Sequence, residues 1–246
     1  KNIIEEWEHI VTTYSPRMIN VHDESFGFHK KRAMEFLDLI IESELTVPWF
    51  VTTRANIVSP ELLHKMKNAG CFGIGIGVES GDPHTLKSIR KGITLEQIKR
   101  AIKYIHDAGM ESHTFFILGF PNETIRTMWR TIQFAARLNS TYLALGIIVP
   151  YPGTEIARMA AAGEGGYKII SYEWKDYNKQ LGNAMELKHL SRRQLELFQL
   201  IGYVYFYLSN GRIIDLYRFV LQYRSEALGF VSHFLRFRRG QRRHAS

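Results

Sequence analysis

A chain of 246 residues, 45% hydrophobic and 23% charged, holds enough apolar material for one domain with a sizeable core, which excludes global disorder. The net charge of +8 leans on five arginines between residues 229 and 246; removing them leaves +3, so the body of the chain gives no sign of nucleic-acid binding. The single cysteine, Cys71, excludes an internal disulfide, fits a reducing, cytosolic setting, and cannot alone hold zinc or an iron–sulfur cluster.

The chain opens in a helical pattern over Ile3–Val11, with no signal peptide and no initiator methionine, so it is expected to be a fragment. Arg17–Val21 reads as the first strand. Lys30–Ser43 follows as a helix, with Ala33, Met34, Leu37, Ile40 and Ile41 at helical spacing. Trp49–Thr53 is the second strand. Pro60–Lys67 is a helix with Ser59 as N-cap, proline in its first turn and Gly70 as its stop. Phe72–Val78 is the third strand, with Cys71 a small buried residue at its start. The helix Thr94–Asp107 carries a capping box, Thr94 with Gln97. Ser112–Leu118, the helix Thr124–Leu138 and Tyr142–Val149 complete the rhythm.

The strands are almost continuously apolar, as parallel strands covered on both faces are. Five βα units without a hairpin signal point to a parallel α/β fold, a barrel or an open doubly wound sheet. After the turn Pro150-Tyr151-Pro152-Gly153 the rhythm breaks. Thr154–Ala162, Ser191–Leu208 and Ile213–Tyr223 read as helices, and Gly163–Gly166 as a loop. The longest apolar stretch, Leu195–Leu208, falls short of the roughly 20 residues that span a bilayer.

Ligands of parallel α/β folds sit at the C-terminal ends of the strands. Here those ends carry His22-Asp23-Glu24, Thr53-Arg54, Gly77-Val78-Glu79-Ser80-Gly81, Gly119-Phe120-Pro121-Asn122-Glu123-Thr124 and Pro150-Tyr151-Pro152-Gly153-Thr154. The strand beginnings carry nothing comparable. Asp23, Glu24 and Glu79 suit an ammonium group or ribose hydroxyls, and Arg54 a carboxylate. Gly73, Gly75 and Gly77 leave room for a flat group against the backbone. Plainer readings stand beside these: Asp23-Glu24 and Glu79-Ser80 as helix caps, Arg54 as a surface residue, Gly119–Thr124 as an ordinary βα turn with Glu123 capping the next helix.

The run Gly75-Ile76-Gly77-Val78-Glu79-Ser80-Gly81, the later Leu86-Lys87-Ser88-Ile89-Arg90-Lys91-Gly92, the Gly119–Thr124 turn and Pro150–Thr154 together resemble the radical SAM (S-adenosylmethionine) superfamily. With Asp23-Glu24 and Arg54 they most resemble the subgroup that carries a cobalamin-binding domain. The likeness covers residues 1–190. It implies a partial (β/α)6 TIM-like barrel, here missing its first strand, over 1–160. A C-terminal helical extension over 161–228 and a basic flexible tail over 229–246 follow.

The resemblance also implies S-adenosylmethionine and a 4Fe–4S cluster as cofactors, with cobalamin in the subgroup. The implied chemistry is cleavage of S-adenosylmethionine to a 5′-deoxyadenosyl radical, for methyl transfer or ring rearrangement at an unactivated carbon. By matching positions, Asp23 and Glu24 would meet the methionine amino group and Arg54 its carboxylate. Glu79 and Ser80 would hold ribose. Ile117, Leu118 and Gly119 would line the adenine, Glu123 shape that loop, and Val149 and Pro150 close the pocket.

The family's CxxxCxxC motif is absent, and truncation ahead of Lys1 is the expected reason. The chain alone is then inactive. The implied partners are a small-molecule or lipid-like substrate and an electron donor such as flavodoxin or ferredoxin, with no nucleic acid. The arginine tail is open to contact with anionic lipid. Two other readings stay open: a methylthiotransferase-like radical SAM enzyme, and a non-catalytic barrel scaffold without the cluster.

Overall fold

The computed structural model describes residues 2–23, 25–45, 47–178 and 184–222. Glu24 and the basic tail, 229–246, lie outside the described residues. Five parallel strands follow one another in space as in sequence: β1 (Ile19–Val21), β2 (Trp49–Thr53), β3 (Cys71–Glu79), β4 (Glu111–Leu118) and β5 (Tyr142–Ile147). The connecting helices are α1 (Asn2–Tyr14), α2 (Lys30–Glu42), α3 (Pro60–Asn68), α4 (Pro83–Ser88), α5 (Leu95–Asp107), α6 (Ile125–Leu138) and α7 (Glu155–Ala162). This is the five-stranded arc of the expected partial barrel.

Side-chain alternation sorts the two faces of the arc. Val51, Ile74, Ile76, Leu118 and Ile147 point toward the helices and are fully buried. The opposite, inner face follows from the register: Phe50 beside Gly73, Gly75 beside His113, Gly77 beside Phe115, and Ile117 beside Gly146. At the N-terminal end, Trp49 is fully buried and its indole N–H donates to the Ala69 carbonyl at 2.7 Å. Phe26 and Trp7 meet its ring edge-on, at 5.6 and 6.3 Å between centroids.

The helix starts obey the local chemistry. Ser59 Oγ accepts the Leu62 N–H ahead of α3, and Thr94 with Gln97 closes a capping box on α5. Thr124 and Thr127 close another on α6.

The segment after the arc, expected as a helical extension over 161–228, also holds short strands. Two short strands, β6 (Tyr167–Ile169) and β7 (Met185–Leu187), pair antiparallel, and single 3-10 turns stand at Glu164–Gly166 and Trp174–Asp176. Helices α8 (Arg192–Ser209) and α9 (Ile213–Gln222) follow. Helix α8 is part of the arc's own packing, lying against α6 and β5. The Leu145 N–H donates to Tyr203 Oη at 3.0 Å, and Gln199 Nε2 donates to the Leu145 carbonyl at 2.6 Å. An outer strand leaves such groups without a ladder partner, and α8 satisfies them. Among the described residues no helix is long and apolar enough to cross a membrane.

Candidate functional site

The strand ends form one rim. After β1, the Asp23 carboxylate accepts the Ser25 N–H at 2.9 Å, while its carbonyl accepts from Thr52 Oγ1 of β2 at 2.9 Å. After β2, Arg54 reaches across the rim and donates from Nη2 to the Lys91 carbonyl at 2.8 Å. Its Nε is buried and has no partner.

At the end of β3 the ladder shifts register between Gly77 and Glu79, and Glu79 adopts a left-handed backbone with φ +69°. Its side chain turns to the inner face, where Oε1 meets Lys91 Nζ at 2.7 Å. Lys91 stands twelve residues further on, returned to the rim by the short helix α4.

Two hollows share Arg54. One, of about 490 Å³, is lined by Asp23, Arg54, Phe26 and His29 among others. The second, of about 560 Å³, joins Arg54, Glu79 and Lys91 above an inner wall that includes Thr52, Phe115 and Ile117. Both volumes fall in the range of small-molecule sites. Asp23, Arg54, Glu79 and Ile117 are thus brought together.

Ser80, Leu118, Val149 and Pro150, also expected at the site, line neither hollow. Ser80 is fully buried: its hydroxyl bonds Thr131 Oγ1 of α6 at 3.0 Å and accepts the Asp82 N–H at 3.1 Å. It holds the β3–α4 turn in place and does not face either hollow. Leu118 is fully buried on the helix side of β4, and Val149 and Pro150 are buried at the end of β5. Glu24 lies outside the described residues.

The glycines of β3 also differ from expectation. A Cβ at Gly75 would stand 2.6 Å from Phe115 and 2.9 Å from Thr52, and one at Gly73 would stand 3.3 Å from Phe50. Gly75 thus makes room for the Phe115 ring, while Gly73 lies closest to Glu111, 3.1 Å from its Cβ. Of these three glycines only Gly77 lines the second hollow, where a Cβ would stand 3.0 Å from Lys91 Nζ and 3.1 Å from Glu79 Oε1.

Behind the rim, Glu123 builds the β4–α6 turn. Its Oε2 accepts the N–H groups of Gly119 at 2.6 Å and Phe120 at 3.2 Å. The side chain is 1% exposed, and Oε1 has no partner. Burial pushes the carboxyl up to about 7; the two N–H groups oppose this and the Asp82 charge adds to it. The Tyr167 hydroxyl is likewise buried and unpartnered, and burial together with the Glu123 charge raises its pKa.

Asp82, also fully buried, caps α4 by accepting the His84 and Thr85 N–H groups, and accepts Arg130 Nη1 at 2.8 Å. Burial raises its carboxyl, but Arg130 and Thr85 outweigh that and hold it below its ordinary value.

Sequence reading missed Lys91, Thr52 and Asn178 as rim and wall residues. Lys91 was visible in the run after Glu79, but its return to the rim depends on α4. Asn178 enters from the segment after β6, where nothing in the sequence marks it.

The chemistry of the rim suits a zwitterionic ligand: carboxylates for a cationic amine, and a guanidinium with a free N–H for a carboxylate. The cysteine inventory does not suit an iron–sulfur cluster. Cys71 opens β3 at the far end from the rim and is buried, and burial pushes its thiol up to about 12. Among the described residues no three His, Cys, Asp or Glu side chains are grouped to hold a metal.

Comparison with known proteins gives a consistent result. The family model of the radical SAM superfamily matches residues 4–135. An uncharacterized methyltransferase of Pyrococcus horikoshii is 32% identical over 214 residues, covering 87% of this chain and 46% of that protein. The anaerobic magnesium-protoporphyrin IX monomethyl ester cyclase of Rubrivivax gelatinosus is 28% identical over 180 residues, covering 72% of this chain and 32% of that one. The chain therefore spans less than half the length of these relatives. Among solved structures, the radical S-adenosylmethionine methyltransferase TsrM of Kitasatospora setae, with cobalamin and a 4Fe–4S cluster bound, superposes with a TM-score of 0.60 at 19% identity. That match covers 72% of this chain and 37% of TsrM, and it speaks for the fold.

Proposed function

The chain belongs to the radical SAM superfamily, and we propose that it is the S-adenosylmethionine-binding barrel of a cobalamin-associated member. In that reading the intact protein carries out methyl transfer or ring rearrangement at an unactivated carbon. The names of its relatives, a methyltransferase and a cyclase, support that range of reactions. Reductive cleavage of S-adenosylmethionine at a 4Fe–4S cluster is the chemistry the family brings. The one buried cysteine does not fit that cluster, so its ligands come from residues outside these 246. The electron donor, of flavodoxin or ferredoxin type, is likewise external.

The part proposed for this chain is to bind and orient the cofactor. The observation that carries it is Arg54, which stands between Asp23 on one side and the Glu79–Lys91 pair on the other with a buried, unpartnered N–H. Arg54 takes the methionine carboxylate, Asp23 the amino group and Glu79 the ribose hydroxyls. Gly119, Ile117, Val149 and Pro150 form the adenine side, with Glu123 fixing the turn that presents Gly119.

Calorimetric titration of the intact protein tests this assignment. Arg54→Ala and Glu79→Ala should each weaken S-adenosylmethionine binding by about 1.5–3 kcal/mol, the range for hydrogen bonds to charged groups. Unchanged affinity in both variants would remove the assignment while leaving the family membership intact.

A further inference from the structure

The turn after β4, from Gly119 to Glu123, is held by groups far along the chain. Two of its residues take a left-handed backbone, Gly119 at φ +92° and Asn122 at φ +60°. Within the turn, the Glu123 N–H donates to the Phe120 carbonyl at 3.0 Å, and the Glu123 carboxylate takes the N–H groups of Gly119 and Phe120. Other backbone groups of the turn find their partners beside the β6–β7 pair. The Asn122 N–H donates to the Gly165 carbonyl at 3.1 Å, and His189 Nε2 donates to the Glu123 carbonyl at 2.7 Å. Gly165 precedes β6 by two residues and His189 follows β7 by two. These flanks are tied to each other: Tyr167 pairs with Leu187, and the Lys188 N–H donates to the Gly166 carbonyl at 2.6 Å.

Tyr167, the first residue of β6, adds a third contact. A Cβ at Gly165 would stand 3.0 Å from Pro121 Cβ and 3.6 Å from Tyr167 Cδ2, so ring and turn meet around this glycine. The Tyr167 hydroxyl and Glu123 Oε1 are both buried and without a partner. A phenol donates and a carboxylate oxygen accepts, so each is what the other lacks, directly or through one water. A segment that merely covered the turn would need apolar contact alone. Here a carbonyl, an imidazole and a phenol converge on Asn122 and Glu123. Neither His189 nor Tyr167 lines the two hollows, so both act through the turn.

We propose that His189 and Tyr167 are positioning residues: through Glu123 they hold the Gly119–Phe120 backbone in the conformation that receives adenine. The segment after the arc thereby sets cofactor affinity without touching the cofactor. This rests on the assignment of Gly119 to the adenine side.

The test is calorimetric titration of the intact protein with two ligands: S-adenosylmethionine, and 5′-methylthioadenosine, which keeps the adenosine and lacks the amino acid. His189→Ala should weaken both by the same factor, roughly three- to tenfold, the worth of one hydrogen bond. Arg54→Ala should weaken S-adenosylmethionine and leave 5′-methylthioadenosine as it was. His189→Gln, whose amide N–H can stand where Nε2 does, should recover most of the loss. A role confined to stability would lower the unfolding midpoint and leave both affinities at the wild-type value well below it; that result overturns the proposal, as does a loss for S-adenosylmethionine alone. Should His189→Ala not fold, Tyr167→Phe keeps the ring and removes only the hydroxyl. The same paired loss is expected there, and wild-type affinity for both ligands overturns the proposal. Wild-type protein that binds neither ligand removes the site assignment itself, an outcome distinct from a variant that binds as the wild type does.

Discussion

Glu123→Gln should flatten the dependence of this protein's stability on pH between about 5 and 8. The Glu123 carboxyl is buried behind the rim and pushed up from its ordinary 4.5 to about 7. The folded chain therefore binds this proton more tightly than the unfolded chain. The stability that the proton confers is complete below the unfolded value and is lost as pH rises through the folded one. A difference of that size corresponds to roughly 3 kcal/mol. At this chain length each kcal/mol moves the melting temperature by about 2–4 °C.

Glutamine keeps an oxygen for the Gly119 and Phe120 N–H groups but cannot titrate. Thermal melts across the pH range should show the wild type falling from about pH 5 to about pH 7 and levelling off toward pH 8, while the variant stays level over the same window. Parallel curves would mean that Glu123 is not the titrating group. The other titratable groups at this spot are Asp82, held ionised by Arg130, Tyr167, whose raised pKa lies above the window, and His189, whose Nε2 meets the Glu123 carbonyl at 2.7 Å.

Gly81→Ala should be among the most damaging single substitutions in the arc. A Cβ there would lie 2.5 Å from Phe134 Cβ, 2.8 Å from Thr131 Cα and 3.0 Å from the Arg130 carbonyl oxygen. These atoms are the body of α6, so no side chain can rotate aside. Helix α6 would have to move off the β3–α4 turn, stretching the Ser80–Thr131 hydrogen bond and the Asp82–Arg130 ion pair together. The expected loss is at or above the upper end of the roughly 1–3 kcal/mol typical of overpacking. Urea unfolding should show a lower midpoint with an unchanged slope. A midpoint equal to wild type would show that the turn and helix part more easily than this packing implies.

The strands and most helices of the arc were legible because their signals are local. Near-continuous apolar runs, Ser59 ahead of Pro60, and Thr94 ahead of Gln97 each fix an element within a residue or two. The short helix α4 escaped notice although Asp82-Pro83 is a cap followed by a first-turn proline; six residues are too few to show a helical period. Strands β6 and β7 escaped because each has three residues and the pairing spans a long interval.

Within the site, position along the chain identified the rim but not the direction of side chains. On a strand covered on both sides, composition does not tell which parity faces inward. Ile117 and Leu118 look alike in sequence, yet one lines the second hollow and the other is sealed beneath helices. Ser80 and Glu123 likewise sit at strand ends, but burial turns them into supports for turns. Lys91 becomes a neighbour of Glu79 only through the intervening fold.

The left-handed backbone at Glu79 sets two engineering goals against each other. Glycine occupies that conformation without the roughly 1–2 kcal/mol penalty that a side chain brings. A search for heat-resistant variants would therefore favour glycine here, and the winners would have given up the carboxylate that faces Lys91. At this one position backbone ease and the ion pair with Lys91 pull in opposite directions, and the chain as it stands keeps the acid at the expense of ease.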